Sequence, residues 1–183
     1  MIHMVQKRDI NSEIILTLLK NDRHLREISR VLAASHATIL RKLNFLVKEG
    51  ILDFSFKGRN KVFFIKDNLQ ARNYIYNAER YKLTQLLEKY PKLGVILNEI
   101  IKETSGLVIL FGSYAKFCAG KDSDIDIYIE TLDKKVKSRI ESINSKINVK
   151  IGGFDKNSLL MKEIIKEHVI LRGGELFYEK IFD

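Results

Sequence analysis

Apolar residues recur at helical spacing near the start of the chain: Ile14, Ile15, Leu18 and Leu19 share one face of a helix that Asn11 can cap and that ends near Asn21-Asp22. A second, short helix is predicted from His24 to Leu32, with Leu25, Ile28 and Leu32 on one face. Only Ala33-Ala34-Ser35 separates it from a third, in which Ser35 stands at the N-cap, Ile39, Leu40, Leu43, Leu46 and Val47 supply the apolar positions, and Gly50 marks the stop. The period then changes to that of a strand. Ile51 to Phe56 and Lys61 to Lys66 read as a β-hairpin whose tip, Lys57-Gly58-Arg59-Asn60, is basic and contains glycine.

Further on, residues 68–90 read as a polar helix with Tyr74, Ile75, Ala78, Tyr81 and Leu86 available to pack, and Pro91, the only proline, opens another helix to about Glu103. Thr104-Ser105-Gly106 breaks that pattern. Leu107 to Phe111 is a short continuous apolar run of the buried-strand type, Asp126 to Ile129 a second strand, Lys134 to Asn144 a Lys-rich helix and Ile147 to Ile151 a third strand. Residues 157–182 read mainly as helix around Gly173-Gly174. The pattern makes this an α+β chain, divided into an N-terminal unit at 1–67, a helical linker at 68–104 and a small mixed α/β unit at 105–183.

Charge sharpens this division. The whole chain carries a formal +9, but residues 1–66 hold 13 Lys+Arg against 6 Asp+Glu, a net of +7, and the remainder nets only +2. A polyanion suits the first third, because Lys and Arg gain affinity by releasing counterions condensed on phosphates. The competing reading is an ordinary solvated, solubilising face. No apolar stretch approaches a membrane span and no secretory signal is evident, so the expected setting is cytoplasmic, with no membrane partner. Cys118 is the only cysteine and the four histidines fall at no zinc-ligand spacing; Cys118 reads as a small filler, His168 as structural and Tyr114 as packing.

Three helices, a tight turn between the second and third, and a basic hairpin resemble the winged helix-turn-helix family over residues 11–66, most closely in the run from Ser35 to Leu52. The resemblance implies binding to double-stranded DNA. Ile39, Leu43 and Leu46 would be buried, leaving His36, Ala37, Thr38, Arg41 and Lys42 to face the major groove, Arg41 suited to a guanine edge and Thr38 to a phosphate or a thymine methyl. Lys57, Arg59 and Lys61 suit a wing lying along the neighbouring backbone or minor groove. The two-fold symmetry common among such regulators implies a homodimer, with the 68–90 helix as its expected element.

A second resemblance lies in the last unit. Phe111-Gly112-Ser113-Tyr114-Ala115-Lys116 follows an apolar strand, and Asp124-Ile125-Asp126-Ile127-Tyr128-Ile129 follows Ser113 after a gap of ten residues. Gly-Ser, that gap and Asp-x-Asp at the head of a strand resemble the nucleotidyltransferase signature of the DNA polymerase β superfamily, above all its minimal members. Asp124 and Asp126 alternate along a strand, so both can hold Mg²⁺, a hard cation that takes carboxylate and phosphate oxygens. Gly112 lets the backbone approach the phosphates of a nucleoside triphosphate, ATP being the first expectation, Ser113 can donate to them, and Lys116 or Lys121 adds charge. In that family Asp124 and Asp126 would be catalytic as well as metal-binding, and a third carboxylate lies on the strand after the intervening helix. Here that strand, Ile147 to Phe154, holds no acid: Asn148 or Lys150 takes the position and Asp155 falls just beyond. A lysine beside the metal would repel it, which weighs against catalysis more than against nucleotide binding.

Two functions follow from the resemblances. The first is a DNA-binding transcription regulator whose nucleotidyltransferase-like domain binds Mg-nucleotide with weak or no transfer. The second is an active enzyme moving a nucleoside monophosphate onto a protein or small-molecule acceptor, antitoxin-like, with a toxin as protein partner.

Overall fold

The computed structural model describes residues 8–182, and the chain divides after Tyr81 into two compact units, each described here by itself. The first opens with α1 (Ile10–Leu18), a two-residue strand β1 (Arg23–His24), α2 (Leu25–Val31) and α3 (His36–Lys48). The hairpin β2 (Leu52–Lys57) and β3 (Asn60–Ile65) follows, then the first part of α4 (Leu69–Lys89). The helices bury the stripes that their spacing predicts: Ile14, Ile15, Ile28, Ile39, Leu43 and Leu46 are wholly inaccessible. The three strands pair antiparallel in the order β1-β3-β2. This is the architecture of a winged helix-turn-helix.

Local chemistry explains the helix boundaries. Ser35 caps α3, its hydroxyl oxygen accepting from Thr38 N at 3.2 Å, and α2 starts with a reciprocal pair in which His24 Nδ1 accepts from Glu27 N while the Glu27 carboxylate accepts from His24 N. The start of α1 departs from expectation. Asp9, not Asn11, is the cap, its carboxylate accepting from Asn11 N at 3.0 Å, from Ser12 N at 3.4 Å and from the Ser12 hydroxyl at 2.6 Å. A carboxylate reaching forward over the first turn satisfies more of the orphan amides than Asn11, already inside the helix, could.

The second unit contains the rest of α4, α5 (Pro91–Lys102), β4 (Val108–Phe111), the four-residue α6 (Gly112–Ala115), β5 (Ile125–Glu130), α7 (Lys134–Glu141), β6 (Ile147–Gly152), α8 (Leu159–Lys166), β7 (Val169–Arg172) and α9 (Gly174–Phe182). Its sheet has the order β6-β5-β4-β7: β5 and β6 are parallel, linked through the crossover helix α7, and the other neighbours are antiparallel. Leu93, Leu97 and Ile100 of α5 and Ile140 of α7 pack with Val108, Leu110, Ile125, Ile127, Ile129 and Val149 in one core. Alternation sends Phe111, Asp126 and Asn148 to the opposite face.

Two expectations change. The 68–104 linker is not a separate connector, since the division falls within α4 and Leu86, Leu93, Leu97 and Ile100 are core residues of the second unit. The mainly helical reading of 157–182 omits β7, whose Val169 and Ile170 pair with Leu110 and Ile109. A three-residue apolar run, Val169-Ile170-Leu171, has no period that distinguishes strand from helix, and only the free edge of β4 decides it. Among the described residues no helix is long and apolar enough to cross a membrane. The capping correction is testable: Asp9→Ala should cost about 1 kcal/mol of stability in urea unfolding, and Asn11→Ala only a few tenths, roughly the difference between losing and keeping a cap.

Candidate nucleotide and DNA sites

The candidate nucleotide site is built where three strands meet in register. Phe111, the last residue of β4, lies opposite Asp126, and Asp126 in turn lies opposite Asn148 of β6. The chain leaves β4 through Gly112 at φ +70°, and a Cβ built there would collide with Asp126 Oδ2. No residue with a side chain fits while the carboxylate keeps its place. Glycine at this point therefore serves two needs, the left-handed backbone and the approach of the Asp126 carboxylate to the loop.

Beyond Gly112 the loop is held by hydrogen bonds of its own and by one from α4. Cys118 N donates to Ser113 O at 3.0 Å, the Cys118 thiol lies 3.6 Å from the same oxygen, and Lys89 Nζ donates to Phe117 O at 2.6 Å. The Tyr114 ring meets the Tyr90 ring edge-on with centroids 5.0 Å apart, which gives Tyr114 a packing role. Ser113 is half-buried. Lys116 is exposed, and its ammonium lies 3.2 Å from Glu163 Oε1 of α8.

Asp124 sits one residue before β5, exposed, with buried Ile125 between it and Asp126. Burial raises the Asp126 carboxyl above the ordinary carboxylate range; the Asn148 hydrogen bond opposes this, Asp124 raises it further, Lys150 lowers it and Glu163 raises it. Register decides between Asn148 and Lys150 for the missing-acid position. Both lie on one face of β6, but Asn148 is the residue opposite Asp126, and its amide Nδ2 donates to Asp126 Oδ1 at 2.9 Å. Asp155 lies past the end of β6, where its carboxylate accepts from Asn157 N at 2.9 Å. Tyr128, one step along β5, is buried, donates to Gly152 O at 3.0 Å and is pushed up to about 12 by burial, so it is neither acid nor base for a substrate.

The residues fit one hard divalent cation better than two. Two carboxylates, one of them desolvated and repelled by the other, gain from a cation between them, and Oδ2 of Asp126 lies against the Gly112 backbone at the start of the loop. Among the described residues no group of three or more His, Cys, Asp or Glu side chains is placed to hold a metal. Sequence reasoning missed Glu163. It lies in an amphipathic helix with no motif around it, and only the fold brings it toward Asp126.

In the first unit, α3 presents His36, Ala37, Leu40, Arg41 and Asn44 to solvent, while Thr38 and Lys42 are half-buried. The Thr38 hydroxyl accepts from the Ser35 hydroxyl at 2.9 Å, which leaves its own proton free to donate. Leu40, placed by the helical pattern among the packing residues, is 43% exposed beside Arg41 and so joins the exposed stripe. Lys57, Arg59 and Lys61 are all exposed on the hairpin, joined through a two-residue loop in which Gly58 has φ +64°.

Two outcomes check the geometry around Asp126. Gly112→Ala should cost about 1–3 kcal/mol, from the positive φ and the contact with the carboxylate, and a double-mutant cycle with Asp126→Ala should recover part of it. For pH, a folded carboxyl held above its unfolded value is favoured protonated, so stability falls as pH rises through that interval. In metal-free buffer Asp126→Asn should therefore melt above the wild type at about pH 7, the gap closing toward about pH 4. A gap independent of pH would contradict the desolvation of Asp126.

Comparison with known proteins places the second unit. Residues 81–179 match the family described as polymerase beta, nucleotidyltransferase. No curated protein matches the chain. Among solved structures, a variant of ZitR from Lactococcus lactis is similar with a TM-score of 0.39 and 16% identity, over 51% of this chain and 64% of that one. The adhesin competence repressor AdcR from Streptococcus pyogenes is similar with a TM-score of 0.38 and 16% identity, over 53% of this chain and 78% of that one. At these scores neither likeness bears on function, and the winged-helix architecture rests on the helices and hairpin themselves. With the loop, the aspartate pair and the sheet register all inside a match that spans more than half of its length, the chain belongs to the polymerase β nucleotidyltransferase family.

Proposed function

We propose that the protein is a transcription regulator that binds duplex DNA through its winged helix and a Mg-nucleotide, ATP first among the candidates, through its nucleotidyltransferase domain, with weak or no transfer. Nucleotide phosphates would lie along the Gly112-Ser113 loop, Ser113 donating to them and Lys116 exchanging Glu163 for a phosphate oxygen. Asp124 and Asp126 would hold the cation, which supplies charge neutralisation at the phosphates. The observation that carries the inactive reading is the hydrogen bond from Asn148 to Asp126. An amide donor in place of a carboxylate offers no base for an acceptor hydroxyl and occupies a lone pair of Asp126.

For DNA, the support is the net +7 of residues 1–66, the exposed face of α3 with Arg41 at its centre and the basic hairpin tip. A second copy would present the same helix to a second half-site. The second function, active transfer to a protein or small molecule, draws on one observation, that Glu163 lies close enough to Asp126 to act on its ionisation.

Incubation with α-labelled nucleoside triphosphates, Mg²⁺ and a cell extract separates the two. The regulator reading expects little or no labelled acceptor from the wild type and, by analogy with general-base assistance, a rise of about 10²-fold or more in Asn148→Asp. Rapid transfer by the wild type, lost in Glu163→Gln, would establish the enzyme instead. On duplex carrying the recognised site, Arg41→Ala should cost about 1–3 kcal/mol and relax discrimination at one base pair, while Lys57→Ala or Arg59→Ala weakens all sequences alike and lowers the salt slope by about 1.

A further inference from the structure

Side chains of the hairpin alternate between its faces, and the pairs Leu52 with Ile65, Phe54 with Phe63 and Phe56 with Lys61 put Leu52, Phe54, Phe56, Lys61 and Phe63 on one face. Burial falls along this row from root to tip. Leu52 and Phe63 belong to the core, Phe54 is half-buried, and Phe56 is 65% exposed. The rings are ordered with respect to one another. Phe54 meets Phe56 edge-on at 5.8 Å and 89°, and lies 6.0 Å from Phe63, so the core braces the exposed ring through its neighbour. Lys61 Nζ stands 4.1 Å from the Phe54 centroid and 5.8 Å from that of Phe56.

A lone exposed phenylalanine needs no explanation. Here the ring is positioned by an aromatic row and a lysine, at the tip of an element that carries Lys57, Arg59 and Lys61 and has no acid from Phe54 to Lys66. The matching surface is negatively charged at its rims and flat or apolar between them. The DNA minor groove has that form, with phosphates on both sides of sugars and base edges, and proteins that bind there insert apolar side chains at base steps. An anionic lipid surface shares the charge, but it is suited to a continuous apolar helix face rather than to one ring at a turn.

We propose that Phe56 is an apolar wedge of the wing, seated on sugars and base edges of the minor groove while Lys57, Arg59 and Lys61 hold the flanking phosphates. The proposal rests on the DNA-binding reading and adds a part to it that is not electrostatic. Lys61 joins the two parts, its ammonium lying over the rings and within reach of solvent where a phosphate would stand.

The test uses the full chain and a duplex selected by it from a random pool, with affinity followed by anisotropy across a salt series and 2-aminopurine placed at the step protected by the wing. Phe56→Ala should weaken binding about 5- to 150-fold, the range of one aromatic–base contact, with the salt slope unchanged, and Phe56→Trp should restore it. The 2-aminopurine signal should rise on binding of the wild type and not of Phe56→Ala. Binding by a folded Phe56→Ala within about twofold of the wild type at every salt concentration overturns the wedge and leaves the DNA reading standing. Failure of the wild type to enrich or retain any duplex overturns both. Tighter binding of the wild type to phosphatidylserine–phosphatidylcholine vesicles than to duplex, lost in Phe56→Ala, overturns the wedge in favour of a lipid surface.

Discussion

The absence of a side chain at position 112 is the constraint on which the second unit turns. Asp126 Oδ2 occupies the place a Cβ would take, so the loop leaving β4 and the carboxylate on β5 are fitted to each other before any ligand arrives. That fit depends on the antiparallel register that sets Phe111 opposite Asp126, and the parallel register that sets Asn148 opposite Asp126 extends it to β6. A slip of β5 by one residue would send Asp126 to the apolar face packed by α5 and α7, and a slip of β6 would do the same to Asn148. The core and the site therefore support the same register.

Charge around this point is arranged without being cancelled. Asp124, Asp126 and Glu163 are negative, Lys150 and Lys116 positive, and Lys116 is paired with Glu163 across the loop. Burial, with Asp124 and Glu163 adding to it, leaves Asp126 harder to ionise than a free carboxyl, which is a site short of positive charge. A cation bound there would supply it. Asn148 changes what such a cation could do next, because its amide steadies Asp126 but neither ligates as an anion nor takes a proton from an acceptor. In the proposed reading the loop and the aspartate pair would keep the family's binding role and the chemistry would be curtailed at a single position.

Much of this was legible in the chain because the signals were local. The Ser35 cap and the stripe Ile39, Leu43, Leu46 define α3, and Gly112-Ser113 with Asp124 and Asp126 mark the loop and the carboxylates. The departures come where a partner distant in sequence decides. Val169 to Arg172 is a strand because β4 offers an unpaired edge, and α4 and α5 belong to the two units because their apolar residues find cores there. The choice between Asn148 and Lys150 needed the register. Glu163 and the exposed Phe56 become visible only once α8 and the hairpin are placed in space. Asp9 is the exception, a local cap mistaken because two polar residues, Asp9 and Asn11, compete for the start of one helix.

The central claim is that a nucleotide binds at the Gly112 loop through the aspartate pair. Calorimetric titration of MgATP into the wild type and into a variant carrying Asp124→Asn and Asp126→Asn, each with and without Mg²⁺, tests it most directly. The account predicts Mg²⁺-dependent binding to the wild type and loss of that dependence in the folded variant, with a matching loss of the rise in melting temperature that a ligand of the native state produces. Equal, Mg²⁺-dependent binding to both proteins would contradict it.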